Sequence, residues 1–194
     1  MIILGIDPAL NHVGYALVKL DMEKKTVEAL TYGLFPIQSK DPSERKLLTT
    51  FQNTQFLIDI YGVSCVGFEK AFHNPQRAHG GFLVREAIGA IKVAVAERDV
   101  PLSAYTPQVV KKVMTGKGNA DKAEVIKHVC RIYQLDGFRF CRQVRRQWVI
   151  ENYSQEQLVA KKMDHIADAL AIGYCQAQQL IKEGENESIQ KKSG

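Results

Sequence analysis

A chain of 194 residues, 45% hydrophobic and 24% charged, has the length of one domain with a full core and a composition typical of soluble globular proteins. No apolar run approaches the roughly 18 residues of a membrane-spanning helix, the N-terminus lacks the basic start and cleavage site of a secretion signal, and the scattered Cys65, Cys130, Cys141 and Cys175 form no Cys-x-x-Cys pair that would point to zinc or a disulfide framework. The expectation is a cytoplasmic protein with reduced thiols and no membrane partner, whose formal net charge of +5 suits a polyanion.

In chain order, Ile2-Ile3-Leu4-Gly5-Ile6 is a continuous apolar strand that ends on Asp7 and Pro8. A second alternating strand begins near Gly14, and a third occupies residues 26–35, so the start reads as an antiparallel meander. Asp7 then lies at the end of a buried strand, where an ionised carboxylate needs a cation or hydrogen-bond donors, unless it merely caps the turn. Asp41-Pro42-Ser43-Glu44 starts a helix that ends at Gly62. The short strand Ser64-Cys65-Val66-Gly67-Phe68 runs out onto Glu69, which repeats the pattern at Asp7.

A segment rich in His, Asn, Pro and Gly covers residues 73–81, and a long helix covers 82–98. Apolar over much of its circumference, that helix packs on two sides, against the sheet and either a second subunit or the rest of the core. Residues 100–105 form a strand, and Thr106-Pro107 opens a helix interrupted by Thr115-Gly116-Lys117-Gly118-Asn119 before it resumes over 120–135. Lys111, Lys112, Lys117, Lys122 and Lys127 flank this glycine-rich break, which reads either as a loop gripping a nucleic-acid backbone or as a solvated interhelix loop. Residues 137–150 carry Arg139, Arg142, Arg145 and Arg146 among Phe138, Phe140 and Trp148. That mixture suits phosphate binding and base stacking, or else the two faces of one amphipathic helix. A last helix, from about His165 to Ile181, places Asp168 on the same face as His165 and Asp164. Residues 184–194 read as a disordered polar tail beyond a single domain of 1–183.

Two acids at strand ends and an Asp/His pair at a helix start converge only if the fold brings them together. Oxygen-rich sites with one imidazole suit Mg²⁺ or Mn²⁺. Two such ions roughly 4 Å apart activate a water and stabilise the leaving oxygen in phosphodiester hydrolysis.

These residues resemble the RuvC family of Holliday-junction resolvases. Ile3-Leu4-Gly5-Ile6-Asp7-Pro8 is similar to the family's first-strand signature, and Phe68-Glu69-Lys70-Ala71-Phe72 to its second acidic site. Val110-Lys111-Lys112 through Asp121-Lys122 is similar to its basic loop and helix, and His165-Ile166-Ala167-Asp168-Ala169-Leu170-Ala171-Ile172 to its last motif. The resemblance implies an α/β RNase H-like fold, a mixed five-stranded sheet in which the antiparallel meander is joined by parallel strands and flanked by helices. It implies Asp7, Glu69, His165 and Asp168 as the catalytic metal ligands for two Mg²⁺ ions, with Mn²⁺ able to substitute. Phe72 falls where the family places a junction-wedging aromatic, and Lys111 and Lys122 where it places DNA-contacting lysines. Four-way junction DNA, a homodimer and a branch-migration helicase are the implied partners.

There are three departures. Ala9 stands where the family usually has glycine and is strained if the turn needs a positive φ. His165 replaces an aspartate found in many members. The stretch 136–163 reads as a basic, aromatic insertion. The competing readings are a related nuclease for other branched DNA or structured RNA, and a binding module without catalysis. An actin-like ATPase, which shares the Gly-Ile-Asp opening, needs a second half that this chain does not contain.

Overall fold

The computed structural model describes residues 1–71, 78–144, 147–160 and 164–192. The element order is β1 (Ile2–Asp7), β2 (Gly14–Asp21), β3 (Thr26–Leu34), α1 (Ser43–Tyr61), β4 (Cys65–Glu69), α2 (Ala78–Ala96), β5 (Leu102–Tyr105), α3 (Pro107–Thr115) and α4 (Lys122–Tyr133). A hairpin of β6 (Phe138–Val144) and β7 (Gln147–Tyr153), the short α5 (Gln155–Ala160) and the long α6 (His165–Lys192) complete it.

Five strands form one sheet in the order β3-β2-β1-β4-β5. β2 pairs antiparallel with both β1 and β3, whereas β4 runs parallel to β1 and β5 parallel to β4. This is the mixed sheet that the resemblance implies, with β1 at its centre. The parallel steps need crossovers, which α1 and α2 supply.

Side chains alternate across a strand, and this alternation divides the core in two. Leu4 and Ile6 of β1, with Val66 and Phe68 of β4, pack under Leu57, Ile58, Ile88, Ile91 and Val95 of α1 and α2. Ile3 and Cys65 point the other way, into a layer with Val110, Val129, Leu170 and Ile172 of α3, α4 and α6. Asp7 and Glu69 have the parity of Ile3 and Cys65, so both acids belong to the α6 face of the sheet.

That helix lies unusually close to the strands. A Cβ added at Gly5 would strike the carbonyl oxygen of Ala169 and come within 2.7 Å of the Gly173 nitrogen. One added at Gly14 would strike the carbonyl oxygen of His165. Main chain packs on main chain at both places because neither strand residue has a side chain.

The helix limits follow local chemistry. Thr106 accepts a hydrogen bond from the Val109 amide and Pro107 begins α3, while Gly116 ends it in the left-handed region at φ 81°. Asp121 caps α4 by accepting from the Glu124 amide at 2.8 Å. Cys65, Cys130 and Cys175 are buried free thiols.

Three expectations change. Residues 137–150 do not form an amphipathic helix; Phe138 to Val144 pairs antiparallel with Gln147 to Tyr153. Phe138 and Phe140 turn inward while Arg139 is exposed, a two-residue period that selects a strand. The tail expected to be disordered from residue 184 instead continues α6 to Lys192. Its Glu, Gln and Lys residues favour a helix, and Lys25 at the β2–β3 turn pairs with Glu185 at 2.5 Å. Helix α2 begins at Ala78, before the start expected at residue 82 and inside the segment rich in His, Asn, Pro and Gly. Ala9 is not among the residues with positive φ, so the turn after Asp7 accepts alanine without strain.

Candidate active site

β1 and β4 are adjacent and parallel, with Ile6 opposite Phe68 in register, so Asp7 and Glu69 leave the sheet side by side at the same end. The carboxyl ends of parallel strands are the customary site of chemistry in α/β proteins. Helix α6 starts over this edge, because its first residue packs on Gly14, the β2 partner of Asp7. His165 and Asp168 are one turn apart on that helix. The four residues expected from the sequence thus gather at one place from three elements separated by some 160 positions.

Asp7 is 8% exposed, and its Oδ2 lies 2.6 Å from His165 Nδ1. An ionised carboxylate only accepts, so Nδ1 carries the proton and Nε2 is the nitrogen able to bind a metal. Burial pulls the imidazole pKa down, but the hydrogen bond to Asp7 and the charges of Asp7 and Asp168 outweigh it, so the net shift is upward. Glu69 is pushed up to about 7 by burial and then by the charge of Asp7. Asp168 is raised for the same reasons, with Asp7 and Glu69 both acting on it.

Three carboxyl groups, two of them with pKa values raised by burial and by the charge of their neighbours, form a site with an excess of negative charge. Hard oxygen donors with one imidazole fit a divalent cation, which would relieve this repulsion. Among the described residues, no three His, Cys, Asp or Glu side chains are drawn to a single point with the spacing of a closed metal shell. The donors face a common region without converging on one position.

Lysines border the cluster. Lys122, the first residue of α4, forms an ion pair with Asp164, the residue preceding α6. The charge of Lys122 acts on Glu69, His165 and Asp168, whereas that of Lys111 on α3 acts on Glu69. Lys112 is exposed in the last turn of α3. Lys117 follows Gly116 and pairs with Glu124 at 3.3 Å, an exposed bridge that a phosphate can replace at little cost. Arg139 is exposed on the hairpin, and Arg142 belongs to β6. Phe72, Arg145 and Arg146 lie outside the described residues.

Sequence reasoning missed two neighbours. The ring of His12, in the β1–β2 loop, lies parallel to that of His165, with centroids 6.0 Å apart and planes at 11°. Asp164 precedes α6, and its carbonyl accepts from the Asp168 amide at 2.9 Å. Its carboxylate, however, faces Lys122. Only the position of His12 a few residues after Asp7 hinted at the first contact, and nothing in the sequence linked residues 122 and 164.

Residues 3–139 match the family model described as crossover junction endodeoxyribonuclease RuvC. The chain is 29% identical over 177 residues to the RuvC of Clostridioides difficile, which covers 91% of this chain and 90% of that protein. It is 31% identical over 137 residues to a Mycobacterium RuvC, covering 70% and 72% respectively. The structure of T. thermophilus RuvC in complex with Holliday junction substrate superimposes with a TM-score of 0.73 at 24% identity, over 94% of this chain and 96% of that one. The fold is therefore RNase H-like, and the matched residues 3–139 include both strand-end acids and the basic loop. The chain belongs to the RuvC family of crossover junction endodeoxyribonucleases.

Proposed function

We propose that this protein is a metal-dependent endonuclease that resolves four-way DNA junctions by paired, symmetric nicks, leaving 5′-phosphate and 3′-hydroxyl ends. The observation that carries this reading is the meeting of Asp7, Glu69, His165 and Asp168 at one strand edge, with Lys111 and Lys122 beside them. The T. thermophilus relative observed with Holliday junction substrate supports the choice of DNA.

RuvC nucleases are metal-dependent, and Mg²⁺, with Mn²⁺ as a substitute, fits this oxygen-rich set. Asp7, Glu69, His165 Nε2 and Asp168 would hold two ions. When bound, the ions lower the pKa of water and stabilise charge on the leaving oxygen. The protein's own groups prepare the place. Asp7 orients the imidazole through Nδ1, and the buried strand ends fix two carboxylates at the DNA-facing rim. Lys111, Lys112, Lys117 and Lys122 hold phosphates around the cut, Arg139 extends the basic surface on the hairpin, and Arg142, Arg145 and Arg146 are proposed as further DNA contacts from the sequence alone.

Two matching nicks call for two copies related by a two-fold axis. Phe82 and Val93 on α2 are 60% and 55% exposed, and Phe56 and Ile60 on α1 are 57% and 63% exposed. These exposed apolar residues support the α1–α2 side as the surface for a homodimer, and a branch-migration helicase is proposed as a further partner.

The test is cleavage of a synthetic four-way junction beside duplex, flap and RNA controls, in Mg²⁺ or Mn²⁺. Paired nicks confined to the junction are expected, and Asp7→Asn should abolish them while junction binding survives. Binding without cutting by the parent protein would replace the enzyme with a binding module. Cutting of flaps or structured RNA instead would move the substrate within the same chemistry.

A further inference from the structure

We propose that Asp164 is a positioning residue for cleavage, whose buried carboxylate holds the Lys122 ammonium at the rim of the carboxylate cluster so that this lysine serves the scissile phosphate. The role rests on the nuclease reading above.

The two partners are unequal. Asp164 is 5% exposed and sits on the main chain that starts α6, where its carbonyl already accepts the Asp168 amide. The Lys122 side chain is 65% exposed. A lysine so exposed gains little from an ion pair for stability, and its four-carbon stem samples many rotamers when left in water. The fixed carboxylate therefore confines a mobile cation. Residue 164 adjoins His165 and lies one turn before Asp168, so the ammonium is confined beside the two helix donors. The pair also ties α4 to α6 across 42 positions of sequence.

Lys117 makes a different kind of contact. Its partner Glu124 lies on its own side of the loop, and the bridge is exposed at the lysine and partly exposed at the glutamate. Lys122 is the lysine whose charge reaches Glu69, His165 and Asp168 together. Phosphodiester hydrolysis builds charge on the non-bridging oxygens in the transition state, and a preplaced ammonium stabilises that charge without reorganising. Asp164 acts through Lys122 and holds no ion itself.

The experiment is a double-mutant cycle in the full-length protein. Single-turnover cleavage of a four-way junction, junction Kd and Mn²⁺ affinity are measured for Asp164→Ala, Asp164→Asn, Lys122→Ala and the doubles. Asp164→Ala is expected to slow cleavage by about 10-fold or more, with junction Kd within about twofold of the parent and unchanged Mn²⁺ affinity. In the Lys122→Ala background, Asp164→Ala should slow cleavage no further, because two residues acting as one unit are not additive. Asp164→Asn keeps the shape without the charge, carries the cycle if the alanine variant fails to fold, and should give an intermediate rate.

Losses that multiply in the double variant would overturn the proposal, as would unchanged cleavage in both Asp164 variants. A fall in Mn²⁺ affinity with Asp164→Asn would make Asp164 a metal ligand instead. A parent that binds junctions without cutting them overturns the nuclease reading and this role with it. A cutting parent with independent losses overturns only the role of Asp164.

Discussion

Replacing Gly14 by alanine tests whether the start of α6 is placed by direct contact of main chains. The new Cβ would lie 2.6 Å from the carbonyl carbon of His165 and 3.1 Å from its Cβ, on top of striking the carbonyl oxygen. Ordinary contact begins near 3.4 Å, so the helix start must retreat by about 1 Å. Overpacking of this kind costs about 1–3 kcal/mol, and here the obstacle is backbone, which cannot rotate away. The strand itself would otherwise gain about 0.5–1 kcal/mol from losing a glycine, so any net destabilisation understates the clash. A shift of about 1 Å in a ligand costs on the order of 100-fold in rate. Urea denaturation and single-turnover junction cleavage provide the measurements, with Gly89→Ala as the control. No atom lies within 4 Å of a Cβ at Gly89, and that helix position should gain about 0.5–1 kcal/mol. The expected outcome is loss of stability and a cleavage defect of roughly 100-fold for Gly14→Ala, with junction binding retained. Wild-type stability together with wild-type cleavage would refute the idea that this contact sets the position of His165.

The pKa shifts fix the sign of the pH dependence. Glu69, raised to about 7, and the raised Asp168 and His165 must all lose protons before they bind a cation. Mn²⁺ affinity should therefore climb as pH rises through the region of 6 to 8, and a flat titration would exclude these donors. In the metal-free protein the same shifts mean that the folded state holds protons the unfolded state has released. Stability should thus fall as pH rises from about 4.5 through 7, and saturating Mg²⁺ should flatten that slope. Comparing the pH profile of His165→Asp with the parent isolates the imidazole, since identical profiles would remove it from the ligand set. Lys46 is 8% exposed and donates to Asn11 Oδ1 at 2.8 Å and to the Ser39 carbonyl at 2.9 Å, tying the β1–β2 loop to the start of α1. Lys46→Met should cost about 2 kcal/mol in urea unfolding, because both acceptors lose a charged donor. If Arg139 grips a phosphate, Arg139→Ala should reduce the slope of log Kd against log salt by about 1.

Both acids were legible because an apolar strand that runs out onto a carboxylate is an energetic anomaly. Their equal parity on neighbouring strands then followed from the two-residue repeat. The helix donors were legible from helical spacing. What sequence spacing could not show is distance across the chain: the Asp7–His165 hydrogen bond, the His12 ring beside it and the Lys122–Asp164 pair all join residues far apart in sequence or on different elements. The hairpin was not resolved because arginines alternating with aromatics fit two periods over so short a run. The polar end of α6 was taken for disorder because it has no apolar stripe, yet helix formers and the bridge to Lys25 carry it on.

The order in which the sheet is completed has a consequence for synthesis. Strands β1 to β5 emerge early, but the layer over the sheet face bearing Ile3, Val18 and Cys65 is completed only when α6 joins α3 and α4. His165 and Asp168, half of the proposed metal donors, arrive on that same helix. A chain that ends before residue 165 therefore lacks both of these side chains and leaves part of an adhesive apolar face exposed. The cluster of proposed donors is thus complete only once α6 has been made.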